Sequence, residues 1–335
     1  MENHFLIITS IASSDHPILN QYALEATANN IAFILVGDVK SPKDFNMPGC
    51  DYYSVERQFS LDWTLSKELP LNHYSRKNLG YLEAMLKGAD IIIETDDDNI
   101  PLKTFWEVRN RKVDANVITD SGWVNVYKYF TESQVWPRGF ALEHIHDLIP
   151  PPKNRKKVLC PIQQGLADEN PDVDAIYRLI LPLPIIFNKT GRIALGKNSI
   201  CPFNSQNTTW FKEAFLLLYL PSYCSFRMTD IWRSFIAQRI AWTCNWKVLF
   251  HESNVLQRRN AHNLIFDLKD EFQGYLNNKK ICSELLKLDL RRGTQHLSDN
   301  LIKCYQLFVD LNLIESLELN LVRLWITDVN KILKD

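Results

Sequence analysis

An apolar run that breaks on three consecutive carboxylates constrains this chain more than any other feature. Ala89-Asp90-Ile91-Ile92-Ile93-Glu94-Thr95-Asp96 leads directly into Asp97 and Asp98. Its length and β-branched content read as a buried strand. Two further strands precede it, over 5–11 and 31–38, the second closing on Gly37-Asp38. Helical patterns fall between them. One spans 15–29, opened by Ser14 or Asp15 with Pro17 in its first turn, and the other spans 75–88 and stops at Gly88. Strand, helix and strand at this spacing require parallel crossovers, hence an open α/β sheet. Ligands of such sheets bind beyond the carboxyl ends of the strands. Asp38 and the Asp96–Asp98 run both stand at such ends.

The rest of the chain is less regular. Residues 110–210 are rich in Pro, Asn and Trp and read as irregular, with an exposed loop over 150–157. A helix is expected over 229–243 and a strand over 246–252. From 262 onward the leucine spacing is helical. That tail reads as an appendage packed on the sheet or on a partner, and it makes a homo-oligomer an expectation to test.

Bulk properties exclude several classes. The 335 residues, 46% apolar, suffice for one large core or two modest ones. With 38 basic against 39 acidic residues, the chain lacks the charge of a duplex-coating protein, and no nucleic-acid partner is expected. No apolar run approaches the ~18 residues of a membrane span, and the first residues lack a signal-peptide pattern. The seven cysteines never form CxxC and read as reduced thiols. A cytoplasmic location is therefore expected, with peripheral membrane attachment left open.

The candidate site residues follow from position and chemistry. If strand geometry persists through the acidic run, Asp96 and Asp98 point to one side and Asp97 to the other. Two converging carboxylates repel unless a cation joins them, and oxygen ligands suit Mn²⁺ or Mg²⁺ carrying a diphosphate. The plainer reading is a solvated turn. Asp38 could accept from a base or a ribose, or could simply hold a turn. Arg76 and Lys77 open a helix, where the dipole disfavours cations, which suggests pairing with phosphate. Arg138, beside Gly139, could clamp a diphosphate or a sugar, or could stack on Trp136. Asp172 and Asp174 could bind sugar hydroxyls, or one of them could cap the helix that follows. Asp97 joins these residues as a nucleotide contact. Asp230, at the start of a helix, is a candidate general base. His251, after a strand, is either a third metal ligand or a histidine with a structural hydrogen bond.

Several segments together resemble the STELLO glycosyltransferase family. They are Arg76-Lys77-Asn78-Leu79-Gly80-Tyr81, Trp136-Pro137-Arg138-Gly139-Phe140, Gln164-Gly165-Leu166, Pro171 to Arg178, Phe226 to Arg239, and Gln257 to Asn263. A more distant similarity is to the reversibly glycosylated polypeptides, which include UDP-arabinopyranose mutases. In that group an arginine matching Arg138 is the glycosylated residue. Both resemblances imply a GT-A-like (Rossmann-like) α/β fold, with a mixed, mainly parallel sheet flanked by helices and a helical C-terminal region. They further imply a catalytic nucleotide-sugar-binding domain over 1–260, a helical extension over 261–335, and a metal held by the acidic motif on the nucleotide diphosphate.

The expected activity is therefore metal-dependent transfer of a hexosyl or pentosyl group from a nucleotide-sugar, a UDP-sugar, to an acceptor hydroxyl. Asp96, Asp98 and His251 are the expected metal set, and Asp230 and Arg138 the catalytic pair. The alternatives are a nucleotide-sugar mutase and a non-catalytic nucleotide-sugar-binding subunit.

Overall fold

The computed structural model describes residues 2–152, 155–259 and 263–334. Lys153 and Asn154 of the expected exposed loop, and Asn260, Ala261 and His262 of the segment 257–263, lie outside the described residues. In chain order, the first part comprises β1 (His4–Thr9), α1 (Pro17–Ala28), β2 (Ala32–Val36), β3 (Cys50–Tyr53), α2 (Val55–Phe59), α3 (Thr64–Glu68), α4 (Lys77–Leu86), β4 (Ile91–Thr95) and β5 (Asn99–Pro101). Next come β6 (Lys112–Ile118), β7 (Gly122–Trp123), β8 (Arg155–Leu159), β9 (Ile162–Asp168), α5 (Ala175–Ile180), β10 (Arg192–Leu195), β11 (Ser199–Ile200) and β12 (Asn207–Phe211). The last part holds α6 (Thr229–Ala241), β13 (Val248–Gln257), α7 (Leu264–Lys287), α8 (Leu297–Asp310) and α9 (Glu318–Lys334).

The α/β class is as expected. The main sheet runs β3-β2-β1-β4-β12-β9-β13-β10-β6-β8, with β5 paired to β13. Its β3-β2-β1-β4 half is wholly parallel, built by the crossovers through α1 and α4. Strand β12 is antiparallel to both β4 and β9, so the other half is mixed. One face of the sheet packs Leu6, Ile8 and Ile93 against Leu19, Tyr22 and Ala26 of α1. The other face packs Ile7, Ile34 and Ile92 against Leu79, Leu82, Ile236 and, further out, Trp325 of α9. Alternation along each strand thus feeds two layers. Helix α4 lies close to the sheet because Gly80 has no side chain: a Cβ there would sit 2.8 Å from methyls of Ile7 and Val36.

Three local expectations are corrected. Helix α1 is capped by His16, whose side chain accepts from Leu19 N, and not by Ser14 or Asp15. Residues 110–210 are not irregular, since β9 and β12 sit at the centre of the sheet. Strand geometry does not persist through the acidic run. Strand β4 ends at Thr95, and residues 96–99 form a turn closed by Asn99 N to Asp96 O.

The helical tail is as read, and it contributes to the core. Trp325 is fully buried and donates to Leu216 O at 2.9 Å. Asp328 accepts from Thr64 Oγ1 and Leu65 N and so caps α3 from a distance.

Candidate active site

A cleft of about 470 Å³ opens at the carboxyl ends of β1, β2 and β4. Thr9 to Ile11, Val36 to Asp38 and Asp96 to Asp98 form one side of its lining. Arg138, Asp172, Ser205, Arg227, Asp230, Gln257 and Arg259 bring in the other elements. The volume suits a ligand of nucleotide size.

Each aspartate of the turn has its own partner. Asp96 accepts from Tyr74 OH at 2.9 Å and lies 3.5 Å from Lys77 Nζ. Asp97 accepts from Ser10 Oγ. Asp98 Oδ2 accepts from Gln257 Nε2 at 3.1 Å, while its buried Oδ1 has no partner among the described residues. Burial pushes Asp96 up to about 6, against the pull of Lys77 and the Tyr74 hydroxyl. Burial, with the charges of Asp96 and Asp97, pushes Asp98 up to about 7. This is the electrostatic conflict of crowded carboxylates.

The opposite wall is an ion-pair network. Arg138 donates Nε to Asp172 at 2.8 Å, Nη2 to both oxygens of Asp230 at 3.0 Å, and Nη1 to the Arg227 carbonyl. Burial works against both charges here, yet Asp172 is held at about 2 by Arg138, and Arg138 lies well above the usual arginine range. Ser205 adds its N–H and its hydroxyl to Asp230 at 3.1 Å. Tyr74 OH, 2.8 Å from Ser205 Oγ, joins this wall to the aspartate turn. Gly139, at φ +83°, takes the positive φ that lets the chain pass Ile231 of α6.

Not every expected residue reaches the cleft as a free group. Asp38 is there, but its carboxylate accepts from the backbone N–H of Val39, Asn72 and His73 and ties that loop to β2. Arg76 lies at the edge and spends Nε and Nη1 on Gln58 and Leu69 O, with Nη2 unpartnered among the described residues. Lys77 is buried behind Asp96, donating to Tyr74 OH and Thr95 O at 2.8 Å. Asp174 is the cap of α5, accepting from Tyr177 N and Trp136 Nε1, and burial raises it to about 7. Of the two readings left open for Asp172 and Asp174, the cap applies to Asp174 and a place in the cleft to Asp172. The metal-ligand reading of His251 is corrected. It lies inside the sheet on β13, away from the cleft lining, with Nδ1 against Glu252 O at 2.9 Å, and burial holds it well below its ordinary range.

Other lining residues carry no individual sequence signal. Ser10 follows the first strand and could have been found by the carboxyl-end rule. Phe226 and Gln257 open two of the segments that carry the family resemblance, whereas Ser205 could not have been found, because its partners Tyr74 and Asp230 are distant in the chain.

Comparison with known sequences bears on this geometry. The STELLO glycosyltransferase family profile matches residues 227–334, a stretch that holds Arg227, Asp230, Arg259 and all of α7. Two Arabidopsis thaliana proteins, "Probable glycosyltransferase STELLO2" and "Probable glycosyltransferase STELLO1", align over 235 residues at 29% and 27% identity. Over these stretches the chain is similar to the STELLO glycosyltransferases. The aligned stretch is 62% of this chain, and it spans 30% of the length of each STELLO protein. A solved structure titled "Crystal Structure of a Mycobacterial Protein" overlays at a TM-score of 0.43 with 10% identity, covering 83% of this chain and 75% of that one. Among the described residues no helix is long and apolar enough to cross a membrane.

Proposed function

We propose that this chain is a metal-dependent glycosyltransferase. Residues 1–260 would form the nucleotide-sugar-binding domain and 261–335 its helical extension. The donor is a nucleotide-sugar, a UDP-sugar, and a hexosyl or pentosyl group passes to an acceptor hydroxyl. The observation that carries this reading is the aspartate turn: crowded carboxylates in a cleft, two of them raised toward neutrality, with Asp98 Oδ1 left without a partner among the described residues.

Asp96 and Asp98 would hold Mn²⁺ or Mg²⁺. Among the described residues no three His, Cys, Asp or Glu side chains gather into a full metal cage. That fits an ion held by one or two carboxylates, with water and phosphate oxygens filling the other positions. Bound there, the cation supplies positive charge to the leaving diphosphate. The protein's own groups do the rest. Lys77 and Tyr74 fix Asp96, and Gln257 fixes Asp98. Arg138 and Ser205 orient Asp230. In an inverting reaction Asp230 takes the proton of the acceptor hydroxyl; in a retaining one it serves only to orient Arg138.

The mutase reading rests on Arg138 carrying the sugar, which needs a neutral guanidine nitrogen. Asp172 and Asp230 hold this guanidinium charged and occupied, which favours a positioning role. Incubation with UDP-sugars and Mn²⁺ tests the set. Slow release of UDP supports transfer, an isomerised UDP-sugar supports a mutase, and tight UDP binding without turnover against any acceptor supports a binding subunit. A thermal-shift screen with and without Mn²⁺ identifies the donor, since a ligand of the native state raises Tm. An Asp98→Ala variant that binds UDP and Mn²⁺ as well as the parent removes the metal from all three.

A further inference from the structure

Of the cations expected to hold phosphate, Lys77 and Arg138 are committed to protein partners, and Arg76 gives Nε and Nη1 to Gln58 and Leu69 O. Two other arginines line the same cleft. Arg259 stands beside the aspartate turn, because Gln257 binds Asp98 and Arg258 N donates to Asp98 O at 3.0 Å. Arg227 lies next to Arg138, whose guanidinium it receives on its carbonyl.

Helix α7 holds both from behind. Asp267 and Glu271, four residues apart, share one face of that helix, and both are buried. Glu271 Oε1 takes Nε and Nη2 of Arg227 at 3.0 and 2.8 Å. Its Oε2 is fixed by Ala175 N at 2.7 Å and by Tyr275 OH. Asp267 takes Nη2 of Arg259 at 2.8 Å. The Arg259 side chain is only 9% exposed, and its Nε has no partner among the described residues. A buried guanidinium donor without an acceptor is unfavourable, and so are two adjacent cations. Burial and the neighbouring Arg227 already pull Arg259 below the usual arginine range. An anion lying against both relieves each conflict, and the guanidinium fork is shaped to take phosphate oxygens.

We propose that Arg227 and Arg259, held in the cleft lining by Glu271 and Asp267, clamp the diphosphate of the donor. The clamp rests on the nucleotide-sugar reading of the cleft. It makes α7 part of the binding site, with the C-terminal region supplying the orientation of the phosphate-binding groups.

The test is calorimetric titration of the full chain, in Mn²⁺, with UDP, inorganic pyrophosphate and uridine. Arg259→Gln and Arg227→Gln are each expected to weaken UDP and pyrophosphate at least tenfold and to leave uridine within twofold. Arg259→Lys keeps the charge without the planar fork and should recover part of the loss; it also serves if the glutamine variant does not fold. Wild-type binding of UDP that all three variants retain within twofold overturns the clamp and leaves the nucleotide reading standing. Arginine-dependent binding of pyrophosphate, with UDP bound no better, keeps the clamp and removes the nucleotide. Binding of neither UDP nor pyrophosphate by the wild type overturns both.

Discussion

Helix α6 carries Asp230 in its first turn and Arg233 three residues later, and the two meet different surroundings. Arg233 points into the sheet. Its Nη1 and Nη2 reach the two oxygens of Glu94 at 3.0 and 2.7 Å, and Trp210 Nε1 and Tyr81 OH complete that carboxylate. Both charged side chains are 1% exposed or less, and of their polar atoms Arg233 Nε alone lacks a partner among the described residues. Asp230 belongs to the other kind of network. Its partners Arg138 and Ser205, and Asp172 on the far side of Arg138, are also nearly buried, but they line a cleft and adjoin carboxylates raised in pKa. The first network is enclosed within the fold; the second faces a cleft. Perturbed titration in a cleft marks a functional site far better than buried charge alone.

The largest effect should come from breaking the enclosed network. Glu94→Ala leaves Arg233 buried and uncompensated, with an expected loss of about 3–5 kcal/mol in urea denaturation. Replacing both partners, Glu94→Leu with Arg233→Met, should recover part of it, because the desolvation of both charges disappears together while Trp210 Nε1 and Tyr81 OH stay without their acceptor. A double variant as unstable as the single one would mean that the pair itself, and not the orphaned charge, sets the cost.

Next is the network that faces the cleft. Asp230→Asn keeps the size and the hydrogen bonds to Ser205 but removes the charge. If Asp230 is the base, turnover falls by about 10²–10⁴-fold, with Tm changed by only a few degrees. A loss below tenfold confines Asp230 to orienting Arg138. A smaller effect is expected at Gly139, which follows Arg138 and packs against Ile231 of α6. At Gly139 an added Cβ would lie 2.3 Å from Ile231 Cγ2, at a φ of +83°. Gly139→Ala should cost about 1–3 kcal/mol from overpacking and strain. Adding Ile231→Ala relieves the clash but not the φ, so a double variant no better than the single would place the cost in the backbone.

The parallel half of the sheet was legible because β1, β2 and β4 are apolar runs separated by helical periods, and the acidic turn was legible because it ends one of them. Strands β9 and β12 were not. Gln163, Gln164, Asn207, Thr208 and Thr209 look like loop residues, yet they are buried at the centre of the sheet. They satisfy one another and the backbone: Gln164 Nε2 reaches Asn207 O, Thr208 Oγ1 reaches Gln164 Oε1, and Asn207 Nδ2 reaches Asn254 Oδ1. A hydrophobicity pattern carries no trace of such pairing. Position relative to the strand ends located Asp38, Asp96, Asp97 and Asp98, whereas the individual roles of Arg76, Lys77, Asp174 and His251 turned on partners that only the fold supplies. The support that α7 gives to Arg227 and Arg259 was hidden for the same reason.

The smallest expected effect tests the electrostatic conflict in the aspartate turn. Burial and the charges of Asp96 and Asp97 raise Asp98 to about 7 in the folded chain against an ordinary value of 3.8, and chelator keeps divalent cations from offsetting this. Between those values the native state holds a proton that the unfolded chain has released, so stability should fall as pH rises through the window and level off above it. The contribution is fully present below the ordinary carboxylate value and lost above about 7. Asp98→Asn cannot titrate there, so its Tm should vary less with pH and at pH 8 should equal or exceed the parent's by a few degrees. Saturating Mn²⁺ should then raise the parent's Tm at pH 8 and leave the variant's nearly unchanged, since a cation stabilises only the state that binds it. An unaltered pH slope in Asp98→Asn would show that the carboxylates of the turn are relieved by water alone, and the contrast with the enclosed Glu94 network would lose its electrostatic basis.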